Sequence, residues 1–419
     1  MQIENRKSST ENPVSVALLT GGGDRPYVLG LAPGLLSQGA LLDLIGSDDL
    51  DSPEFHGKRE LNFLNLRGSQ EPSAGLLEKV LRVVLYYVRL ICYAATSKPR
   101  VFHILWNNKI QIFDRTLLML YYKLLGKKIV FTAHNVNVGV RDSKDSFLNR
   151  LTLRIQYRLC DHLFVHTEKM KRELIEGFGV QATQVTIIPF GINSSIPNTR
   201  LTPVEARQRL GIREGEKVIL FFGNITPYKG LEYLVTAFRQ HLARFDEYRL
   251  IIAGVPKNCE KYWTEIRDEI RDDVQRGRIL LRAEFIPDDE TEVYFKAADV
   301  LILPYRHIYQ SGVLFTGQNF GLPALVADVG SLKDDIVEGK TGSVFRPEDP
   351  ADLARAIEKY FTSDLFANLD SRRPEIHAYA AERHSWDVVS EMTMRVYAGL
   401  LRRSSAKAQS ERDPSALSF

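Results

Sequence analysis

The chain has 419 residues, of which 44% are hydrophobic and 26% are charged, and its formal net charge is +3. This composition excludes fibrous and intrinsically disordered classes and predicts a globular protein of two or three domains. The three cysteines, Cys92, Cys160 and Cys259, lie far apart without a C-x-x-C pair. That pattern argues against a disulfide framework or a zinc site and favours a reducing, cytoplasmic setting. The polar first residues lead us to expect no signal peptide, and no apolar run has the length of a membrane span.

Strands and helices are predicted to alternate along the whole chain. In the first half the predicted strands are 14–19, 41–45, 101–105, 128–133, 162–166 and 185–188, with helices at 27–38 and 115–125. In the second half the predicted strands are 218–222, 249–253, 279–281, 300–303 and 324–327, with helices at 230–242, 262–276, 289–298 and 351–362. Such alternation is typical of parallel sheets. The predicted fold class is therefore α/β, with two doubly wound Rossmann-like domains facing a central cleft.

Composition also predicts where these domains begin and end. The first domain is expected over 1–193 and the second over 194–384, joined by a polar segment with two prolines. A helix is expected over 385–402. The last segment, 403–419, is rich in serine and charge and is expected to be disordered.

Residues 309–342 carry the most informative local pattern. They follow an apolar strand, and Ser311-Gly312 opens a helix predicted over 313–319. A strand, a small-residue turn and a helix start leave backbone N–H groups and a positive helix end free for an anion, most often a phosphate. An ordinary βα turn is the alternative. Lys229, shortly after the strand 218–222, offers a mobile positive charge suited to a phosphate, the alternative being a solvated lysine at a helix start.

In the first domain, His134 and Asn135 follow the strand 128–133. A histidine at the carboxyl end of such a strand can bind a sugar hydroxyl, although a lone histidine is more often structural. The loop 21–23, with Arg25 behind it, allows close approach of a ligand to the backbone, but it is not a dinucleotide-binding G-x-G-x-x-G motif. The Asp49-Leu50-Asp51 segment matches a D-x-D metal motif and is interpreted as surface charge, so no bound metal is expected.

Taken in order, these segments resemble the family 4 glycosyltransferases and their relatives with the GT-B fold. The segments that carry the resemblance are GGGDRPYVLGLA, the His134-Asn135-Val136 strand end, IIPFGIN, FFGNITPYKGLEYLV and the run from SGVLFTGQNFGLP to SVFRPEDP. Each is modest alone, but their order and spacing are specific, and they cover nearly the whole chain.

The resemblance implies transfer of a sugar from a nucleotide diphosphate to an acceptor hydroxyl, with the donor on the second domain. Lys229 and the backbone at Gly312 would meet the diphosphate, and the final helix, 385–402, would cross back to the first domain. The implied catalytic residues are His134 and Lys229. The implied donor-binding residues are Asn224, Lys229, Phe285, Ile286, Arg306, Gln310, Ser311, Gly312, Val313 and Thr316. On the side of the transferred sugar and the acceptor they are Gly22, Gly23, Arg25, His134 and Asn135.

Three positions depart from the pattern of the family. Its E-x7-E glutamates fall on Ile308 and Thr316, and its arginine five residues before the lysine falls on Asn224. We expect Arg306 or Arg282 to replace the missing positive charge. A turn of the SGVL type without the glutamates resembles a side branch of these enzymes, many of which act on cell-surface polysaccharides.

Residues 76–172 contain 18 Lys and Arg against 6 Asp and Glu, a net charge of +12. The apolar segments within it, 76–95 and 117–128, are interpreted as helices buried against the first sheet. The alternative is a basic, apolar stripe that attracts anionic lipid, with a polyprenol-linked acceptor. No nucleic-acid motif occurs, so a nucleic-acid partner is not expected.

The sequence therefore predicts a hexosyltransferase that uses a UDP- or GDP-sugar without a metal or other cofactor. The expected acceptor is a glycan or a polyprenol-linked glycan, and the expected place is the cytoplasmic side of the membrane. Two alternatives stay open: a catalytically inactive nucleotide- or sugar-binding subunit, which the missing glutamates suggest, and a nucleotide-sugar epimerase of the same fold.

Overall fold

The computed structural model describes residues 13–22, 25–71, 73–141, 145–192 and 196–412. Gly23 lies outside the described residues. Residues 193–195, which belong to the predicted inter-domain segment, and 413–419, the last seven residues of the predicted tail, also lie outside them.

A seven-stranded parallel sheet forms the centre of the first domain. Its strands are β1 (Ser15–Leu19), β2 (Leu41–Gly46), β3 (Leu61–Asn65), β4 (Val101–Ile104), β5 (Lys128–Thr132), β6 (His162–Val165) and β7 (Val185–Ile187). They lie in the order β3-β2-β1-β4-β5-β6-β7. The order reverses between β1 and β4, and ligand pockets form where a parallel sheet reverses in this way.

The helices of this domain pack on both faces of the sheet. They are α1 (Arg25–Ser37), α2 (Leu76–Thr96), α3 (Gln111–Phe113), α4 (Met119–Leu124), α5 (Val138–Arg141), α6 (Phe147–Leu159) and α7 (Glu168–Phe178). A π-helical segment, Asp114–Leu118, joins α3 to α4.

A six-stranded parallel sheet forms the second domain. Its strands are β8 (Lys217–Phe222), β9 (Tyr248–Ala253), β10 (Ile279–Arg282), β11 (Val300–Leu303), β12 (Ala324–Ala327) and β13 (Gly342–Phe345), in the order β10-β9-β8-β11-β12-β13. The remaining helices are α8 (Pro203–Arg209), α9 (Leu231–Ala237), α10 (Glu260–Gln275), α11 (Asp288–Ala297), α12 (Gly312–Asn319), α13 (Pro350–Phe361), α14 (Asp364–Ala367), α15 (Leu369–Arg383) and α16 (Trp386–Arg412). The α/β fold class predicted from the sequence is confirmed.

Two strands that the sequence did not predict lie at sheet edges. β3 reads LNFLN, and only its first residue is fully buried. β13 has four residues and begins at a glycine. Edge strands are paired on one side only, so they need neither the length nor the continuous apolar run by which central strands are recognised.

The structure continues α16 to Arg412, through residues 403–412 of the segment that was predicted to be disordered. These residues, RSSAKAQSER, contain no proline or glycine, and Pro414 is the first residue that interrupts a helix. A helix already started at Trp386 can extend through such residues, since elongation costs far less than nucleation.

The segment predicted as a buried helix at 76–95 is buried on one side only. Tyr86, Tyr87 and Leu90 of α2 are buried against the sheet. Other apolar side chains of the helix are exposed, among them Leu76, Leu77, Val80, Leu81, Val84, Leu85 and Val88. No helix in the described part of the chain is both long and apolar enough to cross a membrane. The exposed apolar side of α2 is therefore a surface feature that the packing of this domain does not explain.

The final helix, α16, packs against α1 of the first domain. The indole N–H of Trp386 donates to the carbonyl of Ile192 at 2.7 Å, and the hydroxyl of Tyr397 lies 2.5 Å from Nδ1 of the buried His103. The Trp386 ring lies directly over Gly30, where a Cβ atom would meet the indole at 1.9 Å. The contact between α1 and α16 thus depends on a residue without a side chain.

Replacing Gly30 with alanine should destabilise the protein by about 1–3 kcal/mol, because the added methyl group overpacks the contact with Trp386. A thermal unfolding midpoint below that of the wild type would show the effect. Gly399→Ala is the matched control on α16, since a Cβ atom there meets nothing within 4 Å. That change should be neutral or stabilise by up to about 1 kcal/mol. Equal midpoints for the two variants would contradict the proposed packing.

Candidate functional site

A cavity of about 500 Å³ lies in the cleft between the two domains. The first domain contributes Tyr27 and Phe190, and most of the lining comes from the carboxyl ends of the strands of the second domain. The residues lining it from the second domain include Phe222, Gly223, Asn224, Tyr228, Lys229, Gly254, Val255, Phe285, Ile286, Tyr305, Ile308, Gln310, Ser311, Gly312, Val313 and Thr316. Nine of the ten residues predicted to bind the donor therefore line one cavity.

Lys229 supplies a buried positive charge to this cavity. It ends a short 3-10 turn, Pro227–Lys229, that follows β8, and it is only 7% exposed. Its Nζ atom lies 5.6 Å from the centre of the Tyr305 ring, and no described carboxylate forms an ion pair with it. Burial lowers the pKa of Lys229 to about 8. The side chain is thus a cation at neutral pH without a counter-ion, which an anionic ligand would supply.

The start of α12 lies on the same cavity wall. Ser311 caps this helix, and the amides of Leu314 and Phe315 bond to its carbonyl. Within the described residues, the amides of Gly312 and Val313 have no acceptor. The eight-residue helix adds its positive end at that point. Two N–H groups, a helix dipole and Lys229 therefore line one cavity.

Gln310 and Thr316 occupy the same wall. The Thr316 hydroxyl donates to the carbonyl of Gly312 at 3.0 Å, which leaves its oxygen able to accept a further hydrogen bond. The amide nitrogen of Gln310 lies 3.4 Å from the Asp335 carboxylate, and its Oε1 atom is buried without a described partner. Burial raises the pKa of Asp335 to about 7. Asp335 is the only member of this group that the sequence did not indicate.

Another part of the wall, formed by Phe285 and Ile286, is apolar, although Asp288 and Thr291 also line the cavity. Ile286 is buried, whereas the ring of Phe285 is 74% exposed at the mouth of the cavity. Asn224 lies at the same mouth and replaces the arginine expected there. The part of the wall near Phe285 and Ile286 therefore offers side-chain and backbone atoms against which a flat ring can lie.

The structure contradicts the expected role of Arg306. Its guanidinium forms an ion pair with Glu232 at 2.7 Å and bonds to the Tyr233 hydroxyl, and it does not line the cavity. Arg282, the other candidate, lies 3.7 Å from Glu284 and is also absent from the cavity wall. Both positive charges are held by glutamates outside the cleft, so neither replaces the missing arginine.

His134 lies beside this cavity but does not line it. With Asn135 it lines a separate cavity of about 160 Å³, and the Tyr27 ring packs against it at 4.7 Å. The imidazole stacks on Trp106 with 4.2 Å between the ring centres. Its Nδ1 atom lies 3.1 Å from Nε2 of His166. Burial, with a smaller effect of His166, holds the pKa of His134 well below its usual value. The ring is therefore neutral, and its Nε2 atom has no partner among the described residues.

The glycine loop, residues 21–23, follows β1 in the first domain. Gly22 has a φ of +73° and fits against Arg67, whose Nη1 atom would lie 1.9 Å from a Cβ atom there. Arg25 is exposed and lines neither cavity. Gly23 lies outside the described residues. The sequence predicted a role for this loop but not for Arg67. The structure places the Arg67 side chain against the loop at Gly22.

Contacts across the cleft were also absent from the sequence prediction. The Tyr309 hydroxyl donates to the Glu173 carboxylate of α7, 136 residues away in the chain. Phe315 of α12 stacks on Phe190 with 5.7 Å between ring centres. No local pattern signals such pairs, because each joins residues that are far apart in the chain and belong to different domains.

Metal ligands are not gathered at this site. Within the described residues, no group of three or more His, Cys, Asp or Glu side chains is arranged to hold a metal ion. Asp51 of the D-x-D segment instead contacts His56 on the surface at 2.5 Å.

Two family profiles match the chain. The profile described as Glycosyltransferase Family 4 matches residues 21–195, and that described as Glycosyl transferases group 1 matches residues 216–363. An uncharacterised glycosyltransferase of Methanocaldococcus jannaschii is 23% identical over 394 residues, which cover 90% of this chain and 94% of that protein.

Solved structures show the same architecture. Sucrose-phosphate synthase from Thermosynechococcus elongatus superposes with a TM-score of 0.72 at 18% identity, covering 94% of this chain and 100% of the other. Anabaena HepE in complex with UDP-glucose gives a TM-score of 0.70 at 14% identity, covering 93% and 100%. At these identities the likeness shows that the fold is shared.

The stability of the protein should depend on pH through Asp335. Its folded carboxyl keeps a proton up to about pH 7, whereas an unfolded aspartate loses it near pH 4. The wild type should therefore lose stability as the pH rises from about 4 to 7, because the folded state binds more protons there. The free energy of unfolding of Asp335→Asn, taken relative to that of the wild type, should increase across this pH range by roughly 3–4 kcal/mol at most. Above about pH 7 this difference should stay constant. Denaturant unfolding of both proteins across that range measures the difference, and a difference that does not change with pH would contradict the assignment.

Proposed function

We propose that this chain, a glycosyltransferase of the GT-B fold whose two domains match the family 4 and group 1 profiles, moves a hexosyl group from a UDP- or GDP-sugar to a hydroxyl of a glycan or polyprenol-linked acceptor. The observation that carries this proposal is the pairing of Lys229 with the free amides of Gly312 and Val313 on one cavity wall. Cleavage of a nucleotide sugar leaves negative charge on the diphosphate. Preorganised N–H groups and a cation in a shielded cleft stabilise that charge as it develops.

The dimensions of the cleft support a nucleotide sugar as the donor. A volume of about 500 Å³ lies within the range of small-molecule sites, roughly 300–1,000 Å³. In this proposal the base lies at the apolar part of the wall near Phe285 and Ile286. The Thr316 oxygen accepts from a ribose hydroxyl, and the diphosphate lies against Lys229. The UDP-glucose complex of HepE, a protein of the same fold, supports this class of donor.

The proposed reaction needs no metal ion, because Lys229 and the start of α12 supply the positive charge at the diphosphate. Asn224 adds a neutral donor where the family pattern predicted an arginine. Lys229 is thus the one cationic side chain on the described wall. The site then depends on a single lysine more strongly than a site with two cations would.

His134 is proposed to act on the acceptor side as a hydrogen-bonding group. Its low pKa makes it a weak base, so it is suited to orient a hydroxyl and not to store a proton. Its unpartnered Nε2 atom and the neighbouring Asn135 leave polar groups available there.

Attachment to the cytoplasmic face of a membrane belongs to the same proposal. The exposed apolar side of α2 lies on the half of the chain that has the basic excess, and Lys79 and Arg82 lie on that helix. Apolar side chains that enter the lipid interface and basic ones that meet anionic headgroups are the two contributions that hold peripheral proteins. A lipid-linked acceptor in cell-surface polysaccharide synthesis would be reached from that position.

Lys229→Ala should lower kcat by about 10²–10³, because it removes the cation that stabilises the leaving diphosphate. Thr316→Ala should mainly weaken nucleotide affinity and so raise KM, since its oxygen serves the bound ribose. Donor hydrolysis and transfer with UDP- and GDP-sugars measure both effects. Lys257→Ala is the matched control, because Lys257 is exposed beside the cleft and does not line it.

Full activity of Lys229→Ala would overturn the proposed role of the cleft. The assays are repeated with EDTA, where a reaction that needs a metal would stop. Interconversion of the donor sugar without an acceptor would instead identify an epimerase.

Binding to vesicles of phosphatidylcholine and phosphatidylglycerol should fall at least about tenfold in the double variant Leu77→Ser/Leu81→Ser. Burial of each leucine in the interface contributes roughly 1.5–3 kcal/mol. Co-sedimentation at low salt measures the change. Val204→Ser on α8 is the matched control, because Val204 is 64% exposed on the other domain and should not enter the lipid. Failure of the wild type to bind these vesicles would contradict membrane attachment.

A further inference from the structure

A further cavity, of about 250 Å³, opens on the first domain beside the first half of α2. It is separate from the cleft, and the residues that line it are Arg67, Ser69, Gln70, Glu71, Lys79, Arg82, Val83, Tyr86, Tyr87 and Lys109. Its volume is somewhat below the range of sites for drug-sized ligands, so it suits a small group and not a whole nucleotide sugar.

Positive charge dominates the lining of this cavity. Four cationic side chains face one carboxylate, that of Glu71, and this carboxylate already accepts from the Ser73 hydroxyl at 2.8 Å. Arg82 forms an ion pair with Glu78, which does not line the cavity. Arg67 and Lys109 add further positive charge to the same lining, and this charge favours an anion.

Arg67 is the central residue of this cavity. It is only 9% exposed, and its guanidinium lies over the Tyr86 ring at 4.8 Å. Within the described residues, the guanidinium has no hydrogen-bond acceptor and no carboxylate within 4.0 Å. The buried Asp114 carboxylate attracts it from a greater distance but accepts its hydrogen bonds from Tyr87 and Asn108. The phenol groups beside it are occupied, since Tyr86 bonds to Asn108 at 2.6 Å and Tyr87 to Asp114 at 2.9 Å. A buried guanidinium with free N–H groups is costly unless an anion meets it.

Two neighbouring features indicate what such an anion belongs to. The guanidinium of Arg67 also fits against Gly22, in the glycine loop of the first domain. On the other side, α2 exposes Leu77 and Val80, which lie within five residues of Lys79 and Arg82 along the helix. A positively charged pocket beside an apolar surface matches an amphiphile whose anionic head enters the pocket while its chain stays on the helix.

We propose that this cavity binds the phosphate or diphosphate group of a lipid-linked acceptor, with Arg67 as its principal contact. The proposal deepens the proposed function and rests on it, because it names the chemical class of the acceptor. Bound in this way, the lipid head would be held between the apolar side of α2 and the glycine loop.

The first test uses inorganic pyrophosphate as the probe and isothermal titration as the measurement. It is made in the Lys229→Ala background, so that the cleft does not take up the probe. Pyrophosphate should bind, and Arg67→Gln should weaken binding at least about tenfold, the usual effect of losing a hydrogen bond to a charged group. Lys109→Gln, at an exposed position, should weaken it as well. Arg89→Gln is the matched control on α2 outside the cavity and should have little effect. Equal affinities in the Arg67 and Arg89 variants would overturn the proposal.

The second test separates a lipid headgroup from a free phosphate. Vesicles of phosphatidylcholine with phosphatidic acid, whose phosphate is terminal, should bind more tightly than vesicles with the same fraction of phosphatidylglycerol. Pyrophosphate should compete, and Arg67→Gln should remove the preference. If pyrophosphate binds but the two vesicles bind equally, the cavity takes a soluble phosphate and the lipid assignment is wrong.

A measurement of nucleotide binding tests the proposed function separately from this proposal. The shift of the unfolding midpoint by UDP or GDP should be the same in Arg67→Gln as in the wild type, which also shows that the variant is folded. If neither nucleotide binds to the wild type, the proposed function fails. The pyrophosphate titration in the Lys229→Ala background still reports on the cavity beside α2.

Discussion

The site depends on one buried cation that the protein does not neutralise. Lys229 lies in the cleft without a described carboxylate partner, and the start of α12 adds partial positive charge to the same wall. Burial of a charge is unfavourable, and here it lowers the pKa of the lysine to about 8. The folded protein therefore keeps an unfavourable arrangement in its cleft that an anionic ligand would relieve. The glutamates absent at Ile308 and Thr316 fit this arrangement, because carboxylates there would have partly neutralised it.

The helix α12 connects this charge to the contact between the domains. Its first residues offer amides to the cavity, while Phe315 on its other side stacks on Phe190 and contacts His384 at 4.2 Å. Tyr309, three residues before the helix, is buried among first-domain residues and bonds to Glu173. Ligand contacts and inter-domain contacts thus belong to one short stretch of chain. A change in the angle between the domains must alter the position of the amides that face the cavity.

The sequence predicted the parts of this protein that are local in the chain. Lys229, Ser311 and Gly312 follow central strands, and the carboxyl ends of parallel strands lie at one edge, so their meeting could be inferred from order alone. Arg306 follows such a strand too. Its guanidinium is nevertheless held by ion pairs with Glu232 and Glu348, which belong to other elements. The exposure of one side of α2 and the burial of Arg67 could not be predicted from the sequence either. An apolar or a charged residue does not itself indicate which neighbours will cover it. Burial of the His134 ring also depends on Tyr27 and Trp106, which no spacing connects to it.

The packing of α16 has a consequence for the order in which the chain can fold. Val389, Tyr397 and Leu400 belong to the same hydrophobic core as Val16 and Leu18 of β1, and Tyr397 bonds to the buried His103 of β4. During synthesis, domains generally fold from the amino terminus as they emerge from the ribosome. Here the first domain cannot close its core until residues 386–400 have been made, after the whole second domain. One face of α1 is therefore uncovered while nearly two hundred residues are added, and its apolar side chains stay exposed to solvent during that time.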